Sequence, residues 1–587
     1  MTNLEIAKLL RNVAAAYSVI NEKKHYFQIV AYQKAADTIE HTTAQVADLL
    51  RENKLDELPG VGTSIKQHLE ELIKTGHVKH FDAVLKNVPE AMFPLLDVPS
   101  FGPKKAYKLV KEFDLKNPKT VIADLHKLAE SGKIAPLEGF GEKSQSDIMR
   151  AFDEFKKGAG KTTRMLLPFA NELAEKLLEY LKKDASIKEA YPLGSLRRKV
   201  ATVGDLDIAV STTEPAKAIE HFVSYPYKER IIEKGPNTAS ILTSGGHQVD
   251  LMTQPPDAFG SLLQHFTGSK HHNVHLRDIA LKKGLSLSEY GIKKVGQEKR
   301  TLYKTEEDFY SAIGMEWIPP EMREDTGEIE LAQKHKLPKL VEVKDIKGDL
   351  HIHSSYPIEP SHDLGVATME EMLKKAKELG YSYLGFSEHN PSVSKHTKEQ
   401  MNTVLRKRYE HIQKLKESKK YIHIINLLET DILPSGELAI NEESFQYLDA
   451  TIVSIHSSFG MKKDEMTKRV LKGLSNPKAK ILAHPTGRML NERPGFELDF
   501  EKIFNFCVEN HKALEINASP ERMDLPDSII RMAVEKGVKM VIDTDSHDLT
   551  RMDMMQYGVW NARRGWATKN DILNTLEYNE FVQWLKK

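Results

Sequence analysis

Cysteine is almost absent from this sequence: Cys507 is the single one in 587 residues. That excludes an internal disulfide framework and fits a reducing compartment. Cys507 itself lies in the apolar run Phe504-Asn505-Phe506-Cys507-Val508 and reads as core. Net charge is absent too, 84 Lys and Arg balancing 84 Asp and Glu. The molecule as a whole therefore projects no field toward a polyanion, and any surface that meets one is local. No apolar run approaches the roughly 18 residues that a membrane span requires. The polar, amphipathic N-terminus lacks the charged and apolar segments of a signal peptide. A soluble, cytoplasmic protein is expected. What the chain does have is length, enough for about three to five domains with their own cores.

The first 160 or so residues show helical periodicity and almost no strand-like alternation. Three short loops interrupt it: Leu58-Pro59-Gly60-Val61-Gly62, Val98-Pro99-Ser100-Phe101-Gly102-Pro103 and Leu137-Glu138-Gly139-Phe140-Gly141. Gly60, Gly62, Gly102, Gly139 and Gly141 would let backbone approach a ligand closely. The helix start behind each loop offers free N–H groups and a positive dipole end. That arrangement binds phosphate without reading bases. One such loop is an ordinary helix connection, but three in one helical region point to a helix-hairpin-helix grip on DNA. Lys104, Lys105 and Lys143 follow the second and third loops, where they could add phosphate contacts. Runs of Lys and Glu elsewhere read as solvated helix faces.

Near residue 190 the pattern changes. Ala190-Tyr191-Pro192-Leu193 leads into Gly194-Ser195-Leu196-Arg197-Arg198, and then into Val203-Gly204-Asp205-Leu206-Asp207-Ile208. Asp205 and Asp207, at i and i+2 on a strand, project from one face. A third acid, Asp250, ends the strand-like Gln248-Val249-Asp250-Leu251. Three carboxylates beside a triphosphate suit two-metal phosphoryl transfer, with Mg²⁺ or Mn²⁺ as the ions. Gly194 and Ser195 would supply backbone and hydroxyl donors to phosphates, Arg198 a bidentate clamp, and Gly204 belongs to the same nucleotide-binding set. A lone Asp-x-Asp is weak; Gly-Ser, Arg-Arg and Gly-Asp-x-Asp at short spacing are much stronger.

The next segment, His265-Phe266-Thr267-Gly268-Ser269 followed by Asn273 and Arg277, resembles family X DNA polymerases, which carry an aromatic-Phe-Thr-Gly-Ser turn under the incoming sugar. The resemblance covers residues 1–320. It implies that His265 and Phe266 pack against the deoxyribose, that Asn273 touches the minor-groove edge of the base, and that Arg277 reaches the template side. It also places Arg164 near the triphosphate. His265 stands where many relatives have Tyr, so discrimination against ribonucleotides does not follow from the family. Some relatives excise a deoxyribose phosphate with a Schiff-base Lys. Here that position is His68, with Ser64 where another Lys is common. An imidazole is a poor Schiff-base former, so lyase activity is expected to be weak or absent, with Lys66 the only nearby substitute.

The last 240 or so residues hold an ordered set of histidines and acids, most of them just past short apolar, β-branched runs. Side chains at strand ends converge in the mouth of a parallel barrel, where imidazoles and carboxylates can hold two or three divalent ions. Such a cluster generates hydroxide from water near neutral pH and polarises a phosphoryl oxygen. From Gly348-Asp349-Leu350-His351-Ile352-His353 to Asp543-Thr544-Asp545-Ser546-His547, the pattern resembles the PHP (polymerase and histidinol phosphatase) family. The resemblance implies a distorted (β/α)7 barrel and a trinuclear site of Mn²⁺ or Zn²⁺. Its ligands would be His351, His353, Asp363, His389, Glu429, His456, His484, Asp545 and His547. The family's Ser-Asp-Gly after the second His is replaced by Tyr-Pro-Ile-Glu-Pro-Ser-His-Asp-Leu-Gly. Asp363 with Gly365 is the best match, and His362 or Glu359 could substitute.

The fold class expected is thus multidomain α/β. A helical DNA-binding domain (1–85) and a second helical subdomain (86–160) precede an α+β polymerase palm (161–255). A nucleotide-selection subdomain (256–318), a charged, Pro-containing linker (319–347) and a metallo-phosphoesterase barrel (348–587) follow. The order resembles bacterial and archaeal family X polymerases with a C-terminal PHP domain. It implies a monomeric repair enzyme acting on gapped or nicked DNA and deoxynucleoside triphosphates. Its barrel would supply 3′→5′ exonuclease activity, with 3′-phosphatase and abasic-site endonuclease also open to it. Two alternatives stand: a barrel that is structural or hydrolyses pyrophosphate or phosphomonoesters, and a template-independent nucleotidyltransferase joined to a histidinol-phosphatase-like enzyme.

Overall fold

The computed structural model describes residues 3–41, 46, 50, 55, 61–98, 101–156, 164–243, 247–419, 421–491, 493 and 495–587. The chain divides into two compact units, Met1–Thr163 and Arg164–Lys587. Among the described residues no helix is long and apolar enough to cross a membrane.

The first unit is helical. Thr63–Thr75 shows why its segments fold as they do: Ile65, Leu69 and Leu72 recur at helical spacing and are buried, and Gly76 stops the helix at φ 81°. Helices Asn3–Asn21, Tyr26–His41, Pro103–Glu112, Val121–Glu130 and Glu142–Lys156 share one core with it, through Leu10, Leu109, Leu125 and Phe152.

The second unit opens with a five-stranded sheet. Its strands are β1 (Ile187–Pro192), β2 (Leu206–Thr212), β3 (Lys228–Lys234), β4 (Thr238–Thr243) and β5 (Gln248–Gln254). They lie in the order β1-β2-β5-β4-β3, with β2 and β5 parallel and the other neighbours antiparallel. Helices Leu167–Leu181 and Pro215–Val223 bury Leu177 and Phe222 in a core shared with Ile208 and Leu251. Helices Phe259–Thr267, Lys270–Lys282 and Glu306–Ala312 and a small three-stranded sheet follow.

Residues 319–347 carry a short helix, Glu328–Gln333, and the segment is anchored to the fold by buried residues set among exposed ones. Met322, Ile329 and Leu340 join the core of the preceding helices. Its charges have distant partners: Arg323 with Glu306 at 2.5 Å, Glu328 with His272 at 2.6 Å, Glu321 with Arg563 at 2.7 Å. A buried ion must be paired, and pairs made across the chain leave a polar signature that reads as a solvated linker.

The barrel strands are β6 (Gly348–Ile352), β7 (Tyr383–Phe386), β8 (His423–Asn426), β9 (Glu429–Asp431), β10 (Thr451–Ser454), β11 (Ala479–Leu482), β12 (Ala513–Asn517) and β13 (Lys539–Asp543). All ladders are parallel. β7 pairs with β8 and continues onto β9 through a His389–Glu429 bridge, so β8 and β9 are two parts of one strand. An Ile352–Ser546 bridge closes the ring. The result is a barrel of seven strands, each covered on both faces as a parallel barrel demands.

Candidate active sites

In the palm, Asp207 on β2 stands directly opposite Asp250 on β5, and Asp205 lies at the bend where the chain enters β2. Ser240 donates to Asp250, and Gln248 Nε2 donates to both its oxygens at 3.0 and 3.1 Å. Burial and the charges of Asp205 and Asp250 push the Asp207 carboxyl up to about 7, opposed by Arg198. This mutual repulsion is what bound divalent cations relieve. It also destabilises the metal-free protein. In the unfolded chain Asp207 loses its proton near pH 4, in the fold only near pH 7, so stability falls across that window and stays low above it. We therefore expect Asp207→Asn to melt several degrees above wild type in chelator at pH 8, from relief of up to about 4 kcal/mol. The gap should vanish near pH 4 and narrow when Mg²⁺ is added; equal melting at pH 8 in chelator would contradict the crowding.

Two glycines are dictated by this site. Gly194 adopts φ 54°, and a Cβ there would come 2.9 Å from Asp207 Oδ2. A Cβ on Gly204 would press on Arg164 Nη1 at 3.2 Å. Arg164 is tied to Thr202, Nε to Oγ1 at 2.9 Å and Nη2 to the carbonyl at 2.7 Å. Ser195 sits in the short helix Gly194–Arg197. Arg198 donates to Glu324 Oε1 and to the Thr267 carbonyl, both at 2.9 Å.

His265 and Phe266 close the helix Phe259–Thr267 and meet edge to face at 4.8 Å. Asn273 donates to the His265 carbonyl at 2.7 Å and accepts from Gln264 at 3.1 Å. Gly268 makes room for it, since a Cβ there would lie 2.6 Å from Asn273 Oδ1. Arg277 Nη2 is 3.3 Å from His265 Nδ1.

In the first unit, Gly62 and Gly102 cap helices in extended conformations (φ −76° and −88°), and a Cβ on either, or on Gly141, would meet nothing within 4 Å. Neither backbone angle nor internal crowding requires glycine there. Gly139 does need its glycine, at φ 78°. Gly60 lies outside the described residues. Lys104 is paired with Glu22 at 2.5 Å. His68 accepts or donates toward Tyr32 Oη at 3.1 Å and stacks on His80 at 4.9 Å, and burial pulls its pKa down. A neutral, enclosed imidazole cannot replace an amine. Borohydride reduction on an incised abasic substrate should trap no adduct, and a strong adduct would overturn this reading.

The barrel mouth gathers all nine sequence-derived candidates. Glu429 is their centre. Its Oε2 lies 3.2 Å from His351 Nε2, 3.4 Å from His353 Nε2 and 2.8 Å from His389 Nδ1. Its Oε1 lies 3.4 Å from His456 Nε2 and 3.1 Å from His484 Nε2. Asp545 Oδ1 is 3.3 Å from His353 Nε2, and Asp363 spans His389 at 3.2 Å and His547 at 3.3 Å. Glu359 instead faces His396, while His362 pairs with Asp431 at 3.1 Å and leans on the His456 ring. Gly365 is forced: a Cβ would fall 1.7 Å from the His353 carbonyl.

Whether these groups fit cations can be judged from what they lack. Buried atoms His351 Nε2, both ring nitrogens of His353, His389 Nδ1, Glu429 Oε2 and His547 Nε2 make no contact of hydrogen-bond geometry, although several lie within ion-pair distance of one another. Orphaned polar atoms of this kind are costly, and here they converge within ligand-to-ligand reach as His353/His389/His547, His351/His353/Asp545 and His389/Glu429/His456. Burial, with the neighbouring imidazoles of His389 and His547, holds His353 well below its ordinary pKa, and so as a neutral donor. The imidazoles and carboxylates are groups that could hold divalent cations.

Two contributors escaped the sequence reading. Asp431 holds His456 Nδ1 at 2.7 Å. Glu515 holds His351 Nδ1 at 2.5 Å, fixing that ring from behind, and accepts from the His484 backbone N–H at 2.6 Å. The i, i+2 rule that paired Asp205 with Asp207 would have found Asp431 from Glu429. Glu515 had a weaker signal, a lone acid in the apolar run Ala513-Leu514-Glu515-Ile516.

Comparison with known proteins finds three family models along the chain. Residues 1–78 match a helix-hairpin-helix domain, residues 262–324 a DNA polymerase beta thumb, and residues 349–519 a PHP domain. The chain is 32% identical over 590 residues to the DNA polymerase/3′-5′ exonuclease PolX of Bacillus subtilis (strain 168), covering 100% of both. A probable phosphatase of Clostridium acetobutylicum is 32% identical over 213 residues, 34% of this chain and 78% of its own. DNA polymerase lambda of Rattus norvegicus is 22% identical over 352 residues, 55% and 56% of the two chains. With an α+β palm carrying three acids, a barrel mouth lined by nine donors and a relative that spans it end to end, the chain belongs to the family X DNA polymerases that carry a PHP domain.

Proposed function

We propose that this enzyme fills short gaps in DNA by template-directed nucleotidyl transfer in the palm and clears 3′ ends by hydrolysis in the barrel. The observation that carries the reading is that both sets of cation donors are complete in one chain. In the palm, Asp205, Asp207 and Asp250 would hold a pair of Mg²⁺ or Mn²⁺ ions, which supply activation of the primer 3′-hydroxyl and charge neutralisation on the pyrophosphate. Arg164 and Arg198 draw in the triphosphate, and Gly194 and Ser195 offer it backbone and hydroxyl donors. His265 and Phe266 form the floor beneath the sugar. Asn273, held by Gln264, meets the base edge, and Arg277 reaches toward the template. The glycine loops of the first unit hold the duplex backbone on either side of the gap.

In the barrel, the nine donors would hold up to three ions, Mn²⁺ or Zn²⁺, which supply hydroxide near neutral pH and a polarised phosphoryl oxygen. Glu429 joins the subsites with its two oxygens, Asp363 bridges His389 and His547 at the rim, and Glu515 keeps His351 in orientation. A primer blocked at its 3′ end cannot be extended, so trimming in the barrel prepares the substrate for the palm. The likeness of the barrel to proteins named as phosphatases favours a second reading for this site, hydrolysis of 3′-phosphomonoesters. Extension of a gapped primer and release of label from a 3′ end, measured separately in Mg²⁺ and in Mn²⁺, test the two halves. No templated extension in either metal removes the first half, and no 3′ hydrolysis in either removes the second. Comparing 3′-hydroxyl with 3′-phosphate ends decides between diester and monoester cleavage.

A further inference from the structure

The barrel and the palm share more than a tether. Helix Met555–Arg564 belongs to the barrel, where Met555, Val559 and Ala562 enter the core. Its other face carries Tyr557, which is part of the palm core, and Trp560, whose ring lies 3.8 Å beneath Lys199 Nζ. At its end Arg564 reaches the nucleotide loop. Arg564 Nη1 donates to the Arg198 main-chain carbonyl and to Glu324 Oε1, both at 2.9 Å. Asp527 anchors the same guanidinium from the barrel side, through Nε at 2.8 Å. Arg198 donates to that same Glu324 oxygen, also at 2.9 Å. A second barrel residue repeats the pattern: Asn491 Nδ2 donates to the Arg164 main-chain carbonyl at 2.8 Å. Both arginines assigned above to the triphosphate are therefore held by their own backbone carbonyls from the barrel.

We propose that Arg564 and Asn491 of the barrel are positioning residues for nucleotide binding in the palm, with Glu324 the internal anion that Arg198 exchanges for the incoming triphosphate. This rests on the reading of Arg198 and Arg164 as triphosphate ligands. Glu324 occupies Arg198 until a nucleotide arrives. A carboxylate deserted by its only cation in a mostly buried setting is costly, but Glu324 is not deserted. Arg564 already holds the same oxygen and keeps it when Arg198 turns away. The two side chains are 8% and 13% exposed for Arg564 and Arg198, so the pairing is little screened by solvent. The backbone bonds from Arg564 and Asn491 meanwhile fix where both arginines start from, which lowers the ordering that binding must impose.

The test is steady-state primer extension on a gapped duplex, with 3′-end hydrolysis and melting temperature measured on the same preparations. Arg564→Ala should raise the KM for the nucleotide about tenfold, leave kcat and 3′ hydrolysis within about twofold, and leave an intact melting transition. Arg564→Lys should recover part of the loss, because an ammonium keeps the Glu324 pair but not the fork to the Arg198 carbonyl. Asn491→Ala, which removes one exposed amide, should raise KM severalfold with no change in melting. In an Glu324→Gln background the Arg564→Ala effect should shrink, since the anion they share is gone. If KM stays at the wild-type value in both Arg564→Ala and Asn491→Ala, or if extension and hydrolysis fall together with the melting temperature, the proposal is wrong. Arg198→Ala separates this from the underlying reading. An unchanged KM there removes Arg198 from the triphosphate site, whereas a raised KM with Arg564→Ala at wild type removes only the barrel's part.

Discussion

Asp207→Ala is expected to lower primer extension by at least about a thousandfold while leaving 3′-end hydrolysis at the wild-type rate. Asp207 is the middle member of the palm triad, opposite Asp250 across the β2–β5 ladder and two residues from Asp205. Burial and its two acidic neighbours raise it to about 7, which shows how strongly the site is built to collect positive charge. Losing the central carboxylate leaves two candidate donors, too few to define the positions of two ions. Transition-state charge stabilisation of this kind is worth up to about 4 kcal/mol per lost group, hence the factor of about a thousand. Asp207→Asn distinguishes charge from shape: it should be as inactive as Ala yet fold more stably without metal. Retained extension in either variant, or loss of both activities together, would refute the assignment of separate sites. The hydrolysis assay on the same sample guards against a folding artefact.

What the chain disclosed in advance depended on how local the cause was. The glycine loops were legible because a Gly before a helix start is written in neighbouring residues. The acid at position 207 was legible from its strand, whereas Asp205 lies in the bend before that strand, so alternation alone does not set its face. The candidate donors at the barrel mouth could be read from apolar runs that end in His or Asp, since a strand end in a parallel barrel faces the mouth. Even the irregular candidate at Asp363 carried a local mark in Gly365, where a Cβ would press against the His353 carbonyl. Partners from distant elements were not legible. The lone acid Glu515 in its apolar run hints at a buried role, but its partner His351 lies 164 residues away. The charges of residues 319–347 suggested a solvated linker because their counter-ions, Glu306, His272 and Arg563, lie elsewhere in the chain. The seating of the palm on helix Met555–Arg564 was hidden for the same reason. Tyr557 and Trp560 look like ordinary helix residues until a second domain is placed against them.

Glu429→Gln should have the converse effect, with 3′-end hydrolysis down by at least about a thousandfold and gapped-primer extension unchanged. No other side chain at the barrel mouth touches so many candidate ligands. One oxygen serves His351, His353 and His389, the other His456 and His484. Against the upward pull of burial, the imidazoles of His389, His351 and His456 keep its carboxyl well below the ordinary range, so it is fully ionised and available to bridge. An amide of the same shape keeps the packing but brings one neutral acceptor and two N–H donors, which point at imidazole nitrogens that need a cation. Metal content measured on the purified protein should fall by at least one ion per chain, and that readout does not depend on turnover. His351→Ala should lose hydrolysis as well, but by opening a cavity against Glu515 it also perturbs the core, which is why Glu429→Gln is the cleaner probe. If the Gln variant binds a full complement of metal and still degrades a 3′ end, Glu429 is not the bridge, and the nuclease activity must be sought away from the barrel mouth.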